Sequence, residues 1–546
     1  MSLDSVPAAS AGRLEPTLVA DLVALAAARD GDRDALVETS GRRLTWTDLH
    51  SEVDRVATGL REVGVVAGQR VLLAMDNRVE LVTTYLAALR AQLVAVPVNP
   101  RAKVEELARM IADSGARVVV ADSAAVAAVR AAGVLVRDAL AGARDVLDDE
   151  VVGRAREPRL VVVDTEPQSA EELAFDALRA TGARPLLTRH DPETLACLLY
   201  TGSAVDLPRA AMLTHRALLA NIEQAAAVRP AMVEAGDVVL GVLPLFHVYG
   251  LNAVLGSVLR QGATLVLVDH FDPLGTLDVI AARGVTVVPV APAVFPHWLG
   301  VDDLATSMAG VRMVASGSAP LARAVMDEFT ARTGVPVHQG YGLTEAAPVV
   351  TSTLASAEPA AGSLGSALPG VGLRLVDDHG LEPEAGDPGE VEIRGANLFS
   401  GYWPDGAGAP GPGGWWATGD VGYLDDRGHL VLVDRAAEVV VVAGFSVYPR
   451  EVEAVIGQVP DVLEAAVIGV PDEATGHAVV AYVRAPDLEA ATVIGAVRAR
   501  CEEALAPFKR PTRIEVVDEL PTTLAGRVRK GELRQLERRR ALGLLE

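Results

Sequence analysis

Apolar positions along this chain follow two periods that take turns. From Leu49 to Val63 they recur at helical spacing, with Leu49, Val53, Val56, Leu60 and Val63 on one face. Thr45 and Asp48 have the spacing of a capping box, so the pattern predicts a helix that starts there. Short continuous apolar runs predict buried strands at Val71 to Met75, Leu93 to Val98 and Val118 to Ala121, with helices between them at Leu81 to Leu89 and Val104 to Ala112. Such alternation is the signature of an α/β fold with a doubly wound sheet. A second set, Val238 to Leu240, Thr264 to Val268, Val285 to Val288 and Met313 to Ala315, predicts a second layer of the same kind. The charge-rich stretch Asp145 to Arg159 reads as an exposed connection between the layers, and the Gly/Pro run Pro404 to Gly414 as a surface loop. Past Arg435 the pattern becomes a compact α+β unit. It has a helix from about Arg450, strands at Ala465 to Val470 and Ala478 to Val483, a helix around Ile494 to Leu505 and a strand at Ile514 to Val517. The expected division is a lead at 1–16, a large domain at 17–435 and a small one at 436–546.

At 546 residues the chain is too long for one hydrophobic core, which agrees with that division. The 72 acidic and 49 basic side chains give a net charge of −23, a field that disfavours sequence-blind binding to nucleic acid or anionic lipid. Any anionic ligand must then be held by a local cationic site. Cys197 and Cys501 are too few and too far apart for a disulfide framework or a zinc site, and point to a reducing, cytoplasmic setting. Met1 to Pro16 lacks a basic segment followed by an apolar one, so it reads as a disordered lead and not as a signal peptide. The most apolar stretch, Val238 to Val268, is interrupted by His247, Asn252, Arg260 and Gln261, and reads as buried strands and a helix, not an integral membrane segment. Lysine occurs only at 103, 509 and 530, so 46 of the 49 basic residues are Arg.

The chemistry concentrates in Gly340-Tyr341-Gly342-Leu343-Thr344-Glu345, in Ala417-Thr418-Gly419-Asp420 and in Asp434-Arg435. An aromatic face, a hydroxyl, a carboxylate and a downstream Asp and Arg are what a site needs to hold an adenosine phosphate with Mg²⁺. In this order and spacing they resemble the core motifs of the adenylate-forming acyl-CoA synthetases. The resemblance runs from Leu44-Thr45-Trp46 to Arg534. It implies a large N-terminal domain with a small β subdomain, a small mobile C-terminal domain, and the use of ATP, Mg²⁺ and CoA with a small-molecule carboxylic acid. By the same resemblance Tyr341, beside Gly342, stacks on adenine, Thr344 contacts the α-phosphate, and Glu345 is the Mg²⁺ ligand, a hard oxygen suited to that ion. Gly317-Ser318-Ala319-Pro320 corresponds to the adenine-side loop, and Asp420 and Arg435 to the ribose contacts. Pro244 to Gly250 resembles the segment whose His, here His247, lies between the acyl pocket and the pantetheine tunnel, and Gly340 falls among the pocket residues. Gly444-Phe445, with Tyr448-Pro449 and Glu451, resembles the loop that lines the tunnel after domain rotation.

Two segments depart from the family pattern. A phosphate loop favours Gly, Ser and Thr because backbone N–H groups and hydroxyls surround the anion. Here the flanks Tyr200-Thr201 and Pro208 fit, but Gly202-Ser203 is followed by Ala204, Val205 and Asp206; Arg209 replaces Lys and Ala210 replaces Gly. Near the C-terminus Arg527 occupies the position of the adenylation Lys, and Ala437 the hinge position. Guanidinium and ammonium are both cationic but not interchangeable as catalysts. Drift toward Arg accounts for Arg209 and Arg527, and does not account for Ala204, Val205, Asp206 or Ala437. The sequence therefore implies a ligase with a weakened adenylation step. It leaves open a non-catalytic adenylate-binding protein, and acyl transfer to the phosphopantetheine of an acyl carrier protein.

Overall fold

The capping box forms as expected. Thr45 Oγ1 accepts from the Asp48 backbone N–H at 3.1 Å, Asp48 Oδ2 accepts from the Thr45 N–H at 3.1 Å, and the helix runs Trp46–Glu62 with Leu49, Val53, Val56 and Leu60 fully buried. The computed structural model describes all residues except 1–15, 144–146, 181, 183–190, 202–208, 319–320, 322, 360–361, 378–379, 385–388, 436–439, 444, 448, 487, 522–527, 529 and 542–546. The expected lead at 1–16 thus falls almost wholly outside the described residues.

Among the described residues, two large sheets dominate. One has the spatial order Leu173–Ala174, Arg159–Val162, Val118–Ala121, Arg70–Ala74, Val94–Pro97, Leu195–Thr201, Arg209–Thr214. All its pairs are parallel except the last, which forms an antiparallel hairpin. The other has Val238–Gly241, Thr264–Leu267, Val287–Val290, Met313–Ser316 and Val337–Gly342 as a parallel centre, with antiparallel strands at both edges. Successive side chains of a strand point to opposite faces, so a run buried on both faces is continuously apolar. In Arg70–Ala74, Val71 and Leu73 enter the core shared by the two sheets, while Leu72 and Ala74 enter the outer core. In the second sheet Val239, Leu265 and Leu267 face the shared core, and Leu240 and Val266 face away. Helices Trp46–Glu62, Val79–Arg90 and His215–Ala227 fill the space between.

One expectation is half overturned. The described part of the charged stretch, 147–159, is largely exposed as expected but stays within the first layer and does not connect the two. Helix Asp149–Arg154 packs on the outer face of the first sheet through buried Leu147, Val151 and Ala155, and Arg159 opens a strand of that same sheet. Asp148, Asp149, Glu150, Arg156, Glu157 and Arg159 are exposed, Arg154 turns inward to Asp113 at 2.6 Å, and the three apolar residues anchor the rest. The strand expected at Val285 to Val288 is displaced to Val287–Val290. Val238 to Val268 folds as two buried strands joined by a π-helix, Tyr249–Gly256, and the short helix Ser257–Gln261; no helix among the described residues is long and apolar enough to cross a membrane.

A four-stranded antiparallel sheet, Gly372–Val376, Gly389–Arg394, Trp416–Leu424 and Leu430–Arg435, follows as the small β unit. The chain then builds a mixed sheet from Phe445–Val447, Val440–Val442, Gly476–Arg484, Glu464–Asp472 and Arg513–Val516, covered by helices Pro449–Ile456, Ala490–Ala504 and Lys530–Ala541. Two of the lysines brace this unit: Lys509 Nζ lies 2.8 Å from Glu451 and 3.8 Å from Glu106 of the large domain, and Lys530 Nζ lies 2.6 Å from Glu453. Each lysine is only 8 % exposed.

Candidate active site

The ends of two adjacent parallel strands set the site, as doubly wound sheets dictate. Met313–Ser316 and Val337–Gly342 are paired with Ser316 opposite Gln339, so Gly317-Ser318 leaves the sheet beside Tyr341. Gly317 has no room for a side chain, because an added Cβ would stand 2.8 Å from the Tyr249 ring. Ser318 adopts φ +75°, in the left-handed region where a non-glycine residue marks a constrained, often functional, backbone. Ala319 and Pro320 lie outside the described residues.

Beyond Gly342, whose Cβ would meet the Pro348 carbonyl at 2.4 Å, the chain turns through the 3₁₀ segment Thr344–Ala346 and is reversed by Ala347 at φ +62°. Four buried amide side chains pin this turn. Asn397 Nδ2 donates to the Ala346 carbonyl at 2.8 Å and Asn252 Nδ2 to that of Ala347 at 2.6 Å. Asn221 binds Val349 at both its N–H and its carbonyl, at 3.0 and 2.8 Å, and Gln224 Nε2 donates to Asn397 at 3.3 Å. The turn that carries Thr344 and Glu345 is thereby held from behind.

Two acid–tyrosine pairs follow. Tyr341, 6 % exposed, donates from its hydroxyl to Asp420 Oδ2 at 2.7 Å, and Asp420 is 4 % exposed. Asp420 is aligned with Arg435 across the antiparallel pair Trp416–Leu424 and Leu430–Arg435, which brings the two expected ribose positions to one rung of the ladder. Glu345, 8 % exposed, accepts at Oε1 from the Tyr402 hydroxyl at 2.7 Å. The ring of Tyr402 also carries the Arg209 guanidinium, 4.4 Å from its centroid. Arg209 pairs with Thr201 at the loop end of the hairpin Leu195–Thr201 and Arg209–Thr214. The loop between them, with Ser203, Ala204, Val205 and Asp206, lies outside the described residues, as do Arg527, Ala437 and Gly444. Thr201, Arg209, Tyr341, Thr344, Glu345 and Asp420 are therefore joined through strand pairing, turn and hydrogen bonds. Tyr402 and the amides behind the turn were missed from sequence. Only the aromatic run Gly401-Tyr402-Trp403-Pro404, ahead of the surface loop, could have signalled one of them.

The segment expected to border the acyl group lies ahead of the π-helix, a helix form common at functional sites. Asn77 holds it, donating to the Gly241 and Leu243 carbonyls at 2.9 and 2.8 Å and accepting from the Leu245 N–H at 2.9 Å. His247 is exposed, on the segment that leads into the π-helix. Its Nδ1 accepts from the Tyr249 N–H at 3.3 Å, which places the proton of the neutral ring on Nε2. Tyr249 donates to the Ala315 carbonyl at 3.2 Å, tying this wall to the strand that ends at Gly317. Gly340 sits where a Cβ would meet the Thr351 carbonyl at 2.6 Å. Phe445 is set by its own domain, stacked on Phe508 with centroids 4.5 Å apart.

The donor set fits Mg²⁺. That ion takes one or two carboxylates and completes its shell with water and substrate phosphates, and Glu345 offers one buried, hydrogen-bonded carboxylate next to the hairpin that carries Arg209.

Known proteins resemble this chain over most of its length. Residues 23–403 match the family described as AMP-binding enzyme, and residues 451–527 match the AMP-binding enzyme C-terminal domain. The chain is 33% identical over 511 residues to an indoleacetate–CoA ligase of Aromatoleum aromaticum, covering 91% of this chain and 94% of the relative. It is 31% identical over 556 residues to a long-chain-fatty-acid–CoA ligase of Yersinia pestis, covering 98% of each. Among solved structures it is similar to the amide bond synthetase McbA from Marinactinospora thermotolerans, with a TM-score of 0.79 and 27% identity over 95% of this chain and 99% of that one. The chain belongs to the AMP-binding enzyme family, the adenylate-forming acyl-CoA ligases.

Proposed function

We propose that the chain is an ATP-dependent carboxylic acid–CoA ligase of the fatty-acid type whose adenylation step is slower than its thioester-forming step. The observation that carries the reading is the pairing of Tyr341 with Asp420 and of Glu345 with Tyr402 at the strand ends, beside the hairpin that carries Arg209. In this reading Tyr341 and Asp420 hold the nucleoside with Arg435, Gly317 and Ser318 border the adenine, and Thr344 faces the α-phosphate. Mg²⁺ held at Glu345 would supply charge neutralisation on the phosphates. A carboxylate oxygen of the acid attacks the α-phosphorus, the bond to pyrophosphate breaks, and acyl-AMP forms; Arg527 offsets the charge that develops on the bridging oxygens. After the small domain, 436–546, rotates on the large one, 17–435, the CoA sulfur attacks the acyl carbon, AMP leaves, and the thiol proton passes to solvent. His247 and Gly340 border the acyl group, and Gly444 and Phe445 the thiol arm. The two free, buried cysteines agree with work in the cytoplasm.

A panel of carboxylic acids assayed for pyrophosphate release, with CoA added in a second arm, tests the reading. Acid-dependent pyrophosphate release followed by CoA-dependent AMP release supports it. Tight binding of AMP with no release from any acid would favour instead a protein that recognises adenylates without turnover, the reading to which Ala204, Val205 and Asp206 lend weight.

A further inference from the structure

The segment from Phe399 to Trp403 is stitched at one end to the turn that carries Glu345 and at the other to the strand that carries Arg209. Phe399 N–H donates to the Glu345 carbonyl at 2.9 Å; Ser400 N–H donates to the Met212 carbonyl at 2.9 Å, Met212 N–H to that of Gly401 at 3.0 Å, and Trp403 N–H to that of Ala210 at 2.8 Å. Tyr402 stands in the middle of these bonds, further fixed by its N–H on the Ala407 carbonyl at 2.8 Å and by an edge-on contact with Phe399 at 5.0 Å. The hydroxyl of a half-buried tyrosine is best served by a partner, and a backbone carbonyl would do. Here the partner is a buried carboxylate, and a carboxylate can only accept. The same ring turns its face to a guanidinium that cannot lose its charge.

We infer that Tyr402 is a positioning residue that couples the metal carboxylate to the cation of the phosphate hairpin, its hydroxyl fixing Glu345 Oε1 and its ring seating Arg209. The inference rests on the ligase reading and adds to it a residue that acts through Glu345 and Arg209. A hydroxyl held on one carboxylate oxygen leaves the carboxylate a single orientation, so the metal meets a preset ligand. A planar cation seated on the ring stays aimed along the hairpin, so the two charges that must bracket a triphosphate keep a fixed separation.

The test is calorimetric titration of a non-hydrolysable ATP analogue, α,β-methylene-ATP, with Mg²⁺ or with EDTA, and of AMP. Tyr402→Phe keeps the ring and removes the hydroxyl. It is expected to weaken the analogue by about 5- to 10-fold with Mg²⁺, the scale of one hydrogen bond, and to leave the EDTA and AMP titrations unchanged. It should also raise the Mg²⁺ concentration needed for half-maximal pyrophosphate release while the KM for the acid stays constant. Tyr402→Leu, which removes the seat of Arg209 too, is expected to weaken the analogue in both arms and to spare AMP. Tyr402→Phe indistinguishable from the unmutated chain in the Mg²⁺ arm overturns the role of Tyr402 and leaves the ligase reading standing. An unmutated chain that binds neither analogue nor AMP overturns both.

Discussion

In the proposed reading Asp420 has two tasks at once, since the carboxylate assigned to a ribose is also the acceptor that holds the Tyr341 hydroxyl. Asp420→Ala is expected to weaken AMP by about 1 to 3 kcal/mol, from lost ribose hydrogen bonds and a tyrosine hydroxyl left without this acceptor. Tyr341→Phe, read in the same calorimetric titration, separates the second contribution from the first. The bond between these two residues could not be read from sequence, because 79 positions separate them and only the strand ladder brings them together. Their individual identities could. The same limit hid Tyr402, whose function lies in what it links. Arg527 poses the opposite case, legible by position but outside the described residues. Arg527→Lys is expected to raise the rate of pyrophosphate release, and Arg527→Ala to lower it about 10- to 1,000-fold, the scale for losing a charge-stabilising donor. A flat response to Arg527→Ala in an active enzyme would sink the role assigned to it.

Helices and strands were legible where one period ran without interruption. Trp46–Glu62, with its capping box and one apolar face, and Val118–Ala121, apolar on both faces, fall where the pattern puts them. Asp145 to Arg159 misled because its charges outnumber the three apolar residues, Leu147, Val151 and Ala155, that anchor Asp149–Arg154 against the sheet. Nor does periodicity announce a buried polar group. His215, first residue of the helix His215–Ala227, is buried and accepts the Val19 N–H at Nδ1, 3.2 Å. Desolvation holds its pKa at about 4 against an ordinary 6.5. The folded pKa is the lower one, so the unfolded chain takes up the proton first. The stabilisation is complete above pH 6.5 and is lost as pH falls toward 4, by about 3 kcal/mol in all. His215→Asn, whose Oδ1 can still accept from Val19, should flatten the decline of the thermal midpoint between pH 7.5 and 5. An unchanged decline would mean that other groups carry it.

At the scale of the whole molecule the two half-reactions draw on different parts of the chain. In the proposed reading adenylation depends on the hairpin loop and Arg527, where the sequence departs from its family, whereas thioester formation depends on Gly444-Phe445, which keeps the family pattern. Synthetic acyl-AMP with CoA should therefore be converted much faster than free acid with ATP and CoA. Equal rates by the two routes would mean that Arg527 substitutes fully for Lys. Lys509 bears on the exchange between the steps, since it spans Glu451 of the small domain and Glu106 of the large one. The two-domain plan was readable from the change of pattern after Arg435. The bridge across it was not, being a contact between residues about 400 positions apart.

The scarcity of lysine, together with the burial of two of the three, bears on the chemical survival of such an enzyme. Acyl-adenylates are mixed anhydrides, and one that escapes before the thiol arrives acylates whatever amine it meets, the maker's own first. Lys509 and Lys530 are each 8 % exposed with the ammonium engaged by a carboxylate, so the half-buried Lys103 is the side-chain amine most open to attack. Prolonged incubation with acid and ATP without CoA should leave peptide mass spectra with adducts at Lys103 and almost none at the other two. On the proposed reading, a protein that makes a reactive anhydride while exposing so few amines is a poor target for its own intermediate.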